Sequence, residues 1–128
     1  MPEAEATRKR ILIAEDDPAI STMLTKVLSQ YYQVVVANDG QAALALAGKA
    51  PAPDLLLLDV MMPGLDGHAV AAAVRQLPGL KAIPIIFLTA KTGPSEVIKG
   101  IQSGARHYIT KPFKIDDLVL RVKKAIGG

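Results

Sequence analysis

The chain has no cysteine and no tryptophan, and only 2 phenylalanines and 3 tyrosines in 128 residues. Without cysteine there is no disulfide, no thiolate metal site and no thiol nucleophile. With aromatics at 4%, the core has to be aliphatic, built from Leu, Ile, Val and Ala. No apolar run approaches the ~20 residues that span a bilayer. The opening Met1–Arg10 lacks the charged-then-apolar order of a signal peptide. A soluble, cytoplasmic protein without a membrane segment is expected.

What the chain does have is 50% hydrophobic residues in a length typical of one domain, ~100–150 residues. Apolar runs alternate with amphipathic ones. Strands are predicted at Arg10–Ala14, Gln33–Ala37, Asp54–Leu58, Ile83–Leu88 and His107–Thr110. Helices are predicted from Pro18 to about Gln30, Gln41 to about Gly48, Asp66 to about Leu77, Ser95 to about Ser103, and Ile115 to Ile126. Asp17 suits an N-cap and Pro18 a first helical position. In the last helix, Asp116 and Asp117 lie in the first turn and Lys123 and Lys124 in the last, as the helix dipole prefers. Residues 1–8 read as a disordered tail and 9–126 as one domain.

The strands are continuous apolar runs, so both faces of their sheet are covered. Five βα units of this kind make an α/β, doubly wound parallel sheet. All carboxyl ends then lie on one edge, where such folds bind ligands. Glu15-Asp16-Asp17 follows the first strand, Asp59 the third, Thr89-Ala90-Lys91 the fourth, and Thr110-Lys111-Pro112 the fifth. Two carboxylates ~4 Å apart at an effective dielectric near 20 repel by about 4 kcal/mol. Such a cluster needs positive charge. Lys111 supplies one, and a hard divalent cation with oxygen ligands, together with a phosphoryl group, would complete the balance. His68 and His107 have no partners at ligand spacing and are not expected to hold metal.

These residues resemble the receiver domain of bacterial two-component response regulators, over about Lys9 to Ile126. The likeness rests on Leu12-Ile13-Ala14-Glu15-Asp16-Asp17-Pro18, on Leu57-Leu58-Asp59-Val60-Met61-Met62-Pro63-Gly64 with Asp66-Gly67, on Leu88-Thr89-Ala90, and on Tyr108-Ile109-Thr110-Lys111-Pro112-Phe113. The resemblance implies a flavodoxin-like (βα)5 sandwich with strand order 2-1-3-4-5. It implies Asp59 as phosphoacceptor, and Mg2+ held by Asp16, Asp59 and the Met61 carbonyl, with Glu15 acting through water. Lys111 would pair with one phosphoryl oxygen and Thr89 with another, and the Lys111–Pro112 bond would be cis. Thr89 and Tyr108 would form the switch that alters the surface of the fourth helix, fifth strand and last helix. The donor would be a histidine kinase or a histidine phosphotransfer protein. The output would be a downstream protein target, with the chain a monomer or a phosphorylation-dependent dimer. The domain would catalyse its own phosphorylation and dephosphorylation rather than serve as an enzyme for another substrate. Met61 and Lys91, each two residues past a pocket residue, are expected to tune phosphate lifetime.

Other readings fit less well. An aspartyl-phosphate phosphatase wants a second acid two residues after Asp59, where Met61 stands. A flavin module needs a Ser/Thr/Gly-rich first loop, and Glu15-Asp16-Asp17 would repel its phosphate. A degenerate receiver would lack pocket residues that are all present here. Outside the pocket stand 14 bases against 8 acids. Arg8-Lys9-Arg10 and Lys123-Lys124 are short and scattered, without a recognition helix, so no direct nucleic-acid binding is expected. The chain is expected to be either a stand-alone receiver, which the Gly127-Gly128 end favours, or a piece excised from a longer regulator.

Overall fold

The computed structural model describes residues 8–90 and 107–127. Five strands, β1 (Arg10–Ala14), β2 (Gln33–Ala37), β3 (Leu55–Asp59), β4 (Ile85–Thr89) and β5 (His107–Thr110), form one sheet in the order β2-β1-β3-β4-β5. Every pairing is parallel. The described helices are α1 (Pro18–Leu28), α2 (Gly40–Ala47), α3 (Gly67–Val74) and α4 (Ile115–Ile126). The helix expected over Ser95–Ser103 lies outside the described residues.

The side-chain alternation of a strand sorts the apolar runs onto two faces. Leu12, Leu56, Leu58, Ile85 and Phe87 pack with Ala43 and Ala47 of α2 and with Val70, Ala71 and Val74 of α3. Ile11, Ile13, Leu55, Leu57, Ile86 and Leu88 pack with Leu24 and Leu28 of α1 and with Leu118 and Val122 of α4. Four consecutive leucines in β3 are thus not redundant: two serve each core.

Aspartates set the helix starts. Asp17 accepts from the Ala19 N–H at 2.9 Å, Asp39 from Ala42 at 2.8 Å, and Asp66 from Ala69 at 2.9 Å. Each carboxylate satisfies a donor that the first helical turn leaves open. The boundaries of β1, β2, β5 and α4 agree with the sequence pattern. Two strands start and end one or two residues later than expected. Asp54 is drawn out of β3 because its Oδ2 accepts from the Arg10 N–H at 2.8 Å. At the other end Asp59 joins β3, in register with Leu88. Ile83 leaves β4 because its N–H turns back to the Leu80 carbonyl at 3.2 Å. Helices α1 and α3 stop early, where Gln30, Tyr31, Gln76 and Leu77 donate three residues back instead of four. Arg8, expected in the tail, donates Nη1 to the Ser29 carbonyl at 3.0 Å.

Candidate functional site: an acidic pocket at the carboxyl edge

The ladder alone brings the expected site residues to one edge. Ala14 is in register with Leu58, Asp59 with Leu88, and Thr89 with Thr110. Glu15 continues from β1, held by its N–H to the Ala37 carbonyl at 3.1 Å. Lys111 continues from β5, held by its N–H to the Thr89 carbonyl at 2.8 Å. Backbone geometry therefore fixes both ends of an ion pair before any side chain is considered.

The side chains then close the pocket. Lys111 Nζ lies 2.8 Å from Glu15 Oε1 and 3.2 Å from Asp59 Oδ2. Asp59 Oδ1 accepts from the Met61 N–H at 3.1 Å, and Glu15 Oε2 accepts from the Asp17 N–H at 3.1 Å. Glu15 is 1% exposed, Asp59 4% and Thr89 0%. Asp16 is exposed beside them. Carboxylate oxygens of Glu15, Asp16 and Asp59 all lie within 4.8 Å of one another. Asp17 is an N-cap, as the sequence suggests, and its N–H also steadies Glu15.

The electrostatics record an incomplete neutralisation. Burial, with the hydrogen bond to Asp59, pushes Glu15 up from 4.5 to about 7, although Lys111 and the Asp17 N–H pull the other way. For Lys111, burial pulls the pKa down, but the bonds and charges of Glu15 and Asp59 outweigh it and leave the ammonium above its ordinary 10.5. Among the described residues, one cation therefore serves two buried carboxylates beside an exposed third. The donor set is all oxygen, without sulfur or imidazole, which suits a hard divalent cation. The residues present fit such an ion.

Met61 turns its side chain outward, 53% exposed, at the rim of the pocket. Tyr108 sits half-buried on β5, its ring 6.0 Å from that of Phe87, which in turn lies 4.7 Å from His68. The Lys111–Pro112 bond is cis, and so is Ala50–Pro51, for which the sequence offers no comparable signal. Lys91 lies outside the described residues. Sequence reasoning assigned Lys111 to a phosphoryl oxygen and missed its direct pairing with Glu15. The charge balance at the edge, four acids against one base, pointed to a shared lysine but not to which acid it would bond.

A buried carboxylate at the end of β3, an acid pair after β1, a hydroxyl at the end of β4 and a lysine after β5 define a phosphoacceptor class of α/β domain. The chain belongs to the response regulator receiver domain family, whose family model matches residues 11–123. Phosphorylation and Mg2+ dependence are general properties of that family. The DNA-binding response regulator MtrA of Mycolicibacterium smegmatis is 43% identical over 120 residues, covering 93% of this chain and 51% of that protein. The response regulator PleD of Caulobacter vibrioides is 43% identical over 112 residues, covering 87% of this chain and 24% of that protein. The chain thus spans about half of the first of these curated relatives and about a quarter of the second. The chemotaxis protein CheY4 of Vibrio cholerae superposes with a TM-score of 0.87 at 32% identity, covering 93% of this chain and 99% of that one. The receiver domain of the Francisella response regulator 1452 gives 0.83 at 32% identity, covering 93% and 97%. No described helix is long and apolar enough to cross a membrane.

Proposed function

We propose that Asp59 accepts a phosphoryl group from a phosphohistidine on a histidine kinase or histidine phosphotransfer protein. The observation that carries this reading is the buried Asp59 carboxylate, held by the Met61 N–H on one oxygen and by Lys111 on the other. An Asp59 oxygen attacks phosphorus, the P–N bond breaks, and the imidazole departs with the electron pair. Phosphoryl transfer asks the protein for positioning and charge neutralisation more than for covalent help. Lys111 and the Thr89 hydroxyl take phosphoryl oxygens. Asp16, Asp59 and the Met61 carbonyl would hold Mg2+ directly, and Glu15 through water. The ion would supply the positive charge that the two buried carboxylates lack. Water later attacks phosphorus and returns Asp59 to its carboxylate. Met61, exposed at the rim, and Lys91 tune the rate of that step.

Readout follows from a local change biasing a two-state element. Thr89 moves toward the phosphoryl group and Tyr108 turns inward. The surface of β5 and α4, with the segment between β4 and β5, changes for a downstream protein target. The chain itself acts on proteins rather than nucleic acid, in the cytoplasm, as a monomer or a phosphorylation-dependent dimer.

Intact-protein mass after incubation with acetyl phosphate and Mg2+ tests the reading, with Asp59→Ala alongside. Gain of one phosphoryl group by the wild type alone is expected. No gain by folded, Mg2+-supplied wild type would favour a domain used purely for docking.

A further inference from the structure

Glycine costs a helix about 1 kcal/mol relative to alanine, yet α2 and α3 each begin on one, Gly40 and Gly67, both buried. Neither is among the described glycines with positive φ, which are Gly64, Gly79 and Gly127. Space explains them instead. A Cβ on Gly40 would fall 2.9 Å from Leu65 Cβ and 2.9 Å from Val70 Cγ2, and still closer to the Leu65 carbonyl oxygen. A Cβ on Gly67 would fall 2.9 Å from Val60 Cα and 3.0 Å from the Asp59 carbonyl carbon, and still closer to the Asp59 carbonyl oxygen. Several of these atoms are backbone, which cannot swing aside as a side-chain tip can.

The two contacts are in series. The start of α2 rests on Leu65, and the start of α3 rests on Asp59 and Val60. The loop 60–66 between them carries Met61, whose N–H donates to Asp59 Oδ1 at 3.1 Å. It is also tied back by the Gly67 N–H to the Val60 carbonyl at 3.0 Å.

We propose that Gly40 is a positioning residue for the phosphoacceptor. Acting through Leu65, it sets the height of the β3–α3 loop, and so the Met61 N–H and carbonyl relative to the Asp59 carboxylate. This rests on the receiver reading above. Gly40 touches no reacting atom. Its influence is geometric, and reactions of this kind lose roughly 10²-fold when a remote change displaces the site by about 1 Å.

The test is Gly40→Ala, with Val122→Ala as control. Val122 is fully buried on the opposite face of the sheet and loses core packing without touching the loop. Three readouts are taken where both variants are folded by circular dichroism: the Asp59 and Met61 amide resonances of metal-free protein in EDTA, the Mg2+ Kd by calorimetry, and the rate of mass gain from acetyl phosphate. Gly40→Ala is expected to displace the Met61 amide, weaken Mg2+ at least threefold and slow phosphorylation at least tenfold. Val122→Ala, though lower in Tm, is expected to keep all three near wild type, with affinity and rate within twofold. If Gly40→Ala does not fold, Leu65→Ala carries the test, because it loosens the same loop from the core, with the same three changes expected. Affinity and rate within twofold of wild type in the variant that folds would overturn the proposal. Failure of the wild type to bind Mg2+ or gain phosphate would overturn the phosphoacceptor reading instead, and the metal-free Met61 amide would still decide the positioning claim.

Discussion

Lys111 bonds Glu15 at 2.8 Å and Asp59 at 3.2 Å, so Asp59 shares its only close ammonium, among the described residues, with a second buried acid. The lysine that would later meet the phosphoryl group is already engaged before it arrives. On the proposed reading, phosphorylation of Asp59 would be an exchange of partners for Lys111 rather than the filling of an empty place.

Removing one partner exposes the imbalance. Lys111→Met leaves Glu15 and Asp59 buried together, and breaking a buried pair in this way costs about 3 kcal/mol. Glu15→Gln acts in the opposite direction. It should stabilise the metal-free protein at pH 8 by on the order of 2 kcal/mol, because an ionised Glu15 is disfavoured there. Urea denaturation of both variants in EDTA checks the opposite signs, and equal losses in the two would count against the shared-cation geometry.

The pH dependence follows from the same residue. Glu15 is raised from 4.5 in the unfolded chain to about 7 when folded. Its contribution is therefore fully present below pH 4.5 and is lost as pH rises through about 7. Metal-free protein should lose stability across that window, while Mg2+ should bind more tightly as Glu15 gives up its proton. Lys111 does not blur the window, since its contribution is lost only above 10.5. Urea midpoints from pH 4.5 to 8, with and without Mg2+, should diverge as pH rises; parallel curves would refute this assignment.

Thr89→Ala separates chemistry from readout. The buried hydroxyl sits beyond Asp59 on the neighbouring strand, so its loss should cost about 1 kcal/mol of stability. Asp59 should still take up phosphate. The amide shifts that phosphorylation induces around Tyr108 and α4 should shrink or vanish. Shifts of wild-type size in Thr89→Ala would remove Thr89 from the switch.

Phe87 is the floor beneath Tyr108. It is fully buried, with the His68 ring at 4.7 Å and the Tyr108 ring at 6.0 Å. Phe87→Ala should destabilise the domain by about 3–5 kcal/mol, a large share of a typical domain's total. Thermal melts measure the loss. In whatever fraction remains folded, the Tyr108 ring resonances should move even without phosphate.

The apolar runs made the sheet legible because its three inner strands, β1, β3 and β4, are buried on both faces over most of their length. Boundaries slipped only where a residue had a local alternative, as when Asp54 turned to the Arg10 N–H. The pocket was legible because parallel strands bring their ends together, so position in the chain already encoded position in space. The pairing of Lys111 with Glu15 was not, because two side chains 96 residues apart find each other only in the folded packing. Nor was the role of Gly40, since a glycine before an Ala-rich helix reads as a turn residue until Leu65 is seen against it. The Lys123 ammonium 4.1 Å over the Tyr31 ring belongs to the same class.

That separation of 96 residues between Glu15 and Lys111 has a temporal side. During synthesis the acids that follow β1 emerge long before the balancing Lys111. Strand β1 must also wait for Leu55–Leu58 before its second edge is paired. A nascent chain lacking β5 holds its carboxylates without the Lys111 counter-charge. The charges of the pocket are thus brought together with Lys111 only once β5 has joined the sheet.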